Sequence, residues 1–273
     1  MSFTFALAGK GGTGKTTTAA LAVRVLGELG ARAVLAVDAD PNATLHEALG
    51  VQVERSVGEI TEQMLASAEA GPGGMPAGIA KDAWLEYNIQ RYVVEANGFD
   101  LLSMGRPEGA GCYCYANNLV RGCIDSLSRG YDFVVMDNEA GLEHLSRRTT
   151  RDVSALLIVS DPSVRGIRTA QRLDALASEL KIGIGARYLV IDRSETPLDP
   201  VLREAAKATG LELLGVIPTD EAIARADLEG GSVFGLPERS PALVAVRDMI
   251  TRAVPTLQSA PARFAQTPTR RQT

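Results

Sequence analysis

Residues 8–17 read AGKGGTGKTT, with the apolar run FTFALA leading into them and the helix-favouring run TTAALAVRVLGELG leading out. Glycines at 9, 11, 12 and 14 let the backbone curl so that successive N–H groups converge on one point, and the positive end of the following helix reinforces them. That is a cradle for an anion. The spacing of Gly9, Gly14, Lys15 and Thr16 matches the phosphate-loop pattern G-x-x-x-x-G-K-[ST]. Lys15 is placed to neutralise β- and γ-phosphate charge, and Thr16 to offer its hydroxyl to Mg²⁺. Gly9, Lys10, Gly11, Gly12, Thr13, Gly14, Lys15, Thr16 and Thr17 are the expected nucleotide contacts. A strand feeding such a loop and helix is a unit of a parallel sheet.

The rest of the chain repeats that rhythm. Near-continuous apolar runs at FTFALA, RAVLAV, DLLSMG, DFVVMD, ALLIVSD, RYLVID and LELLGVI read as strands buried on both faces. Helical segments lie between them, among them KTTTAALAVRVLGELG, AKDAWLEYNIQRYVVEA and IRTAQRLDALASELK. The expected fold is α/β: a doubly wound, mostly parallel sheet of about seven strands with helices on both faces, the phosphate-loop NTPase fold. It should occupy residues 1–255, with AGPGGMPAG at 70–78 a flexible connector and 256–273 a disordered tail. A net charge of −5 gives no basic surplus for nucleic acid or an anionic membrane. No apolar run approaches the roughly 18–20 residues that span a bilayer, and no signal peptide is evident. The three cysteines cannot make a disulfide framework, so a reducing cytoplasm is expected.

Lys10, directly after the first glycine, makes the loop resemble the deviant Walker A motif of the MinD/ParA/nitrogenase-iron-protein class of ATPases. In that class the early lysine reaches the partner's phosphates across a homodimer, which implies a catalytic role for Lys10 and a nucleotide-sandwich dimer. The resemblance assigns Asp40 in AVDADPN to the attacking water and Asp38 to the magnesium shell. FVVMDNEAGLEH reads as the Walker B strand, which places Asp137 in the second magnesium shell, although Asn138 and Glu139 stand where threonine and proline are commoner. Gly141 is a candidate γ-phosphate sensor through its N–H, while His144 more often marks a surface or packing position than a ligand. Asp192 and Arg193 stand where many relatives carry Asn–Arg against adenine; aspartate also reads guanine in other GTPases. Pro218 and Asp220 resemble the loop that packs on the base in ATP users, which favours ATP.

The thiols fall in GCYCYANNLVRGC, residues 111–123. A helix capped by Asn117 or Asn118 would place Cys123 on a buried face with Leu119, Val120, Ile124 and Leu127, as a core thiol. Cys112 and Cys114 lie just before that helix, where thiolates are favoured. Two sulfurs cannot fill a four-coordinate site, but two copies of Cys-x-Cys across a two-fold axis supply four. A redox pair and an incidental pair are the other readings. MGRPEGAGCYCYANNLVR together with AGKGGTGKTT, VDADPN and DNEAGLEHL resembles the CooC-type ATPases that mature carbon monoxide dehydrogenase, over nearly the whole chain to about residue 250. That resemblance implies ATP-dependent nickel insertion, with Cys112 and Cys114 holding Ni²⁺ or Zn²⁺ between subunits and carbon monoxide dehydrogenase as client. A sister group serves acetyl-CoA synthase. A ParA/MinD-like positioning ATPase, an iron–sulfur electron carrier and a metal store are the rivals.

Overall fold

The structure, a computed structural model, describes residues 2–69, 80–105, 114–141, 152–179 and 183–259. Eight strands form one sheet in the order β3-β4-β2-β5-β1-β6-β7-β8. They are β1 (Phe3–Gly9), β2 (Val34–Ala39), β3 (Val94–Ala96), β4 (Phe99–Ser103), β5 (Phe133–Asn138), β6 (Asp152–Ser160), β7 (Gly183–Ser194) and β8 (Glu212–Pro218). All neighbours run parallel except β3 and β4. The seven expected strands are present. The eighth, β3, corrects the reading of residues 80–96 as one helix. Helix α4 (Lys81–Arg91) stops early, and Val93–Val94, stiff at χ1, enters an edge hairpin turned by Asn97–Gly98.

The central strands carry apolar residues on both faces because helices cover both. On one face α1 (Lys15–Glu28), α2 (Leu45–Leu49) and α9 (Pro241–Ala253) bury Leu21, Val25, Leu26, Leu45, Val246 and Met249 against Phe5, Leu7 and Val135. On the other, α3 (Val57–Glu69), α4, α5 (Cys114–Ser128), α6 (Val164–Glu179) and α7 (Pro200–Ala208) pack residues such as Ile60, Leu85, Ile124 and Ile167 on Leu35, Val134 and Ile158. Helix α1 is buried from Thr18 to Leu26, and its alanines let it lie close to the sheet. Helix α8 (Glu221–Glu229) follows β8. Pro255–Ser259 form a 3₁₀ turn that seats Leu257 in the first core. The remainder of the expected tail, 260–273, and residues 70–78 of the connector lie outside the described residues.

Helix α5 begins at Cys114, three residues before the earlier of the two expected caps. Its buried face contains Val120, Cys123 and Ile124, as the spacing required, and burial pushes the Cys123 thiol up to about 11, with Glu86 and Asp82 adding to it. The strand order reverses about β1, which sits between β5 and β6. In a sheet of this type ligands bind beyond the carboxyl ends at such a point. The loop after β1 is there.

Candidate nucleotide site

The loop from Gly9 to Gly14 is built so that carbonyls are held by donors. Thr13 Oγ1 donates to the Lys10 carbonyl at 2.9 Å, and Lys15 Nζ donates to the same oxygen at 3.2 Å. Thr18 Oγ1 donates to the Gly14 carbonyl at 2.8 Å. Gly14 itself sits at φ 84°, where a side chain is strained. A Cβ there would also lie 2.0 Å from Asp192 Oδ2. Lys15 is buried, whereas the Lys10 side chain is exposed at the rim, as a residue reaching outward must be.

Around this loop lies a cleft of about 500 Å³. Gly11, Gly12, Lys15 and Thr16 line it from the loop, Asp40 and Asn42 from the end of β2, Glu139 from the end of β5, and Arg193 from β7. Thr17 opens instead onto a second cleft with Thr16, His46 and Asp227. Asp40 Oδ1 accepts from the Asn42 backbone N–H and side-chain amide at 2.8 and 3.0 Å, which fixes the carboxylate at the cleft wall. Asp38 is fully buried and accepts from the N–H groups of Leu45 and Asp40. Desolvation outweighs those bonds and raises it to about 6.

Asp137 accepts the Thr16 hydroxyl at 2.6 Å on Oδ2. Its Oδ1 is buried without a hydrogen-bond partner among the described residues. Burial, opposed by the Thr16 bond and aided by the charge of Asp38, raises this carboxyl to about 7. A buried carboxylate with an unspent oxygen beside a hydroxyl and a second carboxylate is an arrangement that a hard divalent cation relieves. The donor set is all oxygen and fits Mg²⁺.

The remaining expectations fall as follows. Asn138, noted in the sequence only as a departure, is buried and donates to the Leu7 carbonyl at 2.8 Å, tying β5 to β1. A polar residue ending an apolar strand was its signal. Gly141 donates its N–H to the Gly9 carbonyl at 3.2 Å. Arg193 reaches the loop and Asp192 lies against Gly14, so both are at the site. Pro218 ends β8 opposite Ser194. The carboxylate of Asp220 is committed to two helix starts: it accepts from the Ala222 N–H at 2.8 Å, the Ala242 N–H at 3.1 Å and the Ser240 hydroxyl at 2.5 Å. Cys112 and His144 lie outside the described residues, as does the side chain of Cys114. Among the described residues no group of three or more His, Cys, Asp or Glu could hold a metal ion, and no helix is long and apolar enough to cross a membrane.

The sequence profile of the CobQ/CobB/MinD/ParA nucleotide binding domain matches residues 4–233. An uncharacterised ATP-binding protein of Methanocaldococcus jannaschii is 41% identical over 249 residues, which cover 91% of this chain and 97% of that protein. The carbon monoxide dehydrogenase accessory protein CooC of Rhodospirillum rubrum is 34% identical over 242 residues, covering 85% of this chain and 89% of that one. Among solved structures, the cell division ATPase MinD of Pyrococcus furiosus has a TM-score of 0.67 at 23% identity, covering 94% of this chain and 100% of its own. MinD of Pyrococcus horikoshii, complexed with Mg-ADP, has a TM-score of 0.66 at 22% identity, covering 92% and 96%.

Proposed function

The chain belongs to the CobQ/CobB/MinD/ParA nucleotide-binding family and is an ATPase, and we propose that its ATP cycle delivers a metal ion, nickel first, to an apo carbon monoxide dehydrogenase in the cytoplasm. The buried Lys15 amine and the loop N–H groups hold the phosphates. Thr16, Asp38 and Asp137 would hold Mg²⁺, which supplies charge to the β- and γ-phosphate oxygens. Asp40, braced by Asn42, orients the water that attacks phosphorus. Exposed Lys10 adds the cation that a second protomer lacks, so hydrolysis belongs to a homodimer.

The metal is cargo in this reading. The observation that carries it is the Cys112-x-Cys114 spacing in the sequence of a chain 34% identical to a carbon monoxide dehydrogenase accessory protein, with Cys114 the first residue of α5. Helix α5 leads from the carboxyl end of β4 to the start of β5, so Cys114 opens it at the phosphate-loop edge of the sheet. A symmetric pair of protomers then offers four thiolates, suited to Ni²⁺ in square-planar or Zn²⁺ in tetrahedral geometry. ATP closes the pair around the ion, and hydrolysis releases it to the client.

The test is metal content per protomer at known oligomeric mass, for wild type, Cys112→Ser and Cys114→Ser, with and without a non-hydrolysable ATP analogue. About half an ion per protomer, lost in both variants and tightened by the analogue, supports the reading. Equal metal binding by a monomer, indifferent to the analogue, rejects it. The MinD-like architecture favours one other reading, a positioning ATPase. Nucleotide-dependent sedimentation with liposomes or DNA, without metal, would establish that instead. An acetyl-CoA synthase client is separated by which apo-enzyme gains activity.

A further inference from the structure

The residues expected to read the base touch the phosphate loop. Arg193 Nη2 donates to the Gly12 carbonyl at 2.6 Å, and its Nε lies 3.3 Å from Asp192 Oδ2. Asp192 is 7% exposed, and its carboxylate packs so closely on Gly14 that no side chain fits there. The backbone is shaped for this contact. Arg193 has φ 53°, one of two non-glycine residues in the left-handed region among the described residues, and the β7–β8 register breaks between Ile191 and Ser194. Strand irregularities of this kind re-aim a side chain. Here the guanidinium is carried across β6 to the loop after β1.

The contact has a purpose in phosphate chemistry. A loop that binds an anion must turn its carbonyls away and its N–H groups inward. The Lys10 carbonyl is held by Thr13 and Lys15, and the Gly14 carbonyl by Thr18, all from the loop or its own helix. At Gly12 the donor comes from another strand. Because the peptide is planar and trans, fixing the Gly12 oxygen also fixes the Thr13 N–H on the opposite side.

We propose that Asp192 and Arg193 are positioning residues that clamp the phosphate loop, setting affinity for the polyphosphate rather than the identity of the base. Asp192 orients the fork and Arg193 closes it. The proposal rests on the nucleotide-binding reading and deepens it.

Affinities for ATP, GTP and inorganic tripolyphosphate are to be measured for wild type, Arg193→Ala, Arg193→Lys, Arg193→Gly and Asp192→Asn, with thermal unfolding recorded for each. Loss of a charge-assisted hydrogen bond in a preorganised site predicts about a tenfold weakening for Arg193→Ala with all three ligands, and an unchanged ATP-to-GTP ratio. Lysine cannot reach both Gly12 and Asp192, so Arg193→Lys should not rescue. Arg193→Gly should bind as poorly as Arg193→Ala while unfolding at a higher temperature, since glycine relieves the left-handed backbone. Asp192→Asn should weaken all three ligands by a smaller common factor. A changed ATP-to-GTP ratio with tripolyphosphate binding intact would assign the pair to the base and overturn the clamp. So would unchanged affinities in a folded Arg193→Ala protein. A wild type that binds neither ATP nor tripolyphosphate would remove the nucleotide reading itself.

Discussion

Replacing Asp137 by asparagine should make this protein more stable and inactive at once, and the two effects should separate with pH. Burial and the neighbouring charge of Asp38, against the hydrogen bond from Thr16, raise the Asp137 carboxyl from 3.8 to about 7. At about 1.4 kcal/mol per pKa unit, ionising it in the nucleotide-free fold costs on the order of 4 kcal/mol. A carboxyl raised by folding lends its stability below the unfolded value, near pH 4, and loses it as pH climbs through 7. Asparagine keeps an oxygen for Thr16 and carries no charge to desolvate. Urea denaturation without Mg²⁺ or nucleotide should therefore show variant and wild type about equal at pH 4. By pH 8 the variant should be ahead by about 2–4 kcal/mol, and ATP hydrolysis should be abolished. Parallel stability curves from pH 4 to 8 would refute the claim that Asp137 is held as a strained anion awaiting a cation.

Asp220→Ala removes acceptors from the starts of α8 and α9, so urea denaturation should show a loss of about 2–4 kcal/mol, against a few tenths for an ordinary surface change. Burial pushes this carboxyl up, but the Ser240 hydroxyl and the N–H groups of Ala242, Ala222 and Ile223 hold it below the usual carboxylate range. Its contribution is present above the unfolded value and fades as pH falls through the folded one, so the difference from Asp220→Ala should shrink in acid. Lys10→Ala should keep nucleotide affinity, measured by fluorescence titration, and lose steady-state hydrolysis. Cys123→Ala should cost about 1 kcal/mol in denaturation and leave metal stoichiometry unchanged.

What could be read before folding was what repeats or has fixed spacing. Strands buried on both faces leave uninterrupted apolar runs, and a loop that turns on glycines between strand and helix leaves its spacing. The edge strand β3 is only three residues long and half-buried, too short for a periodic signal. Long-range contacts left no mark. Asp38 caps α2 at Leu45, Asp220 joins α8 to α9, and Arg193 reaches Gly12 across 181 positions of sequence. Each polar residue was visible at a strand end, where catalysis and capping look alike. Which role it has depends on which backbone folds up to meet it.

The bridge from Gly141 to Gly9 fastens the segment after β5 to the end of β1. An amide has one proton, and here it is spent on a carbonyl at the very mouth of the phosphate loop. Any γ-phosphate that recruits it must unfasten the segment after β5 from the end of β1, and losing that phosphate lets the fastening re-form. A ligand that claims this proton therefore competes with the stitch, and its departure hands the proton back to the Gly9 carbonyl.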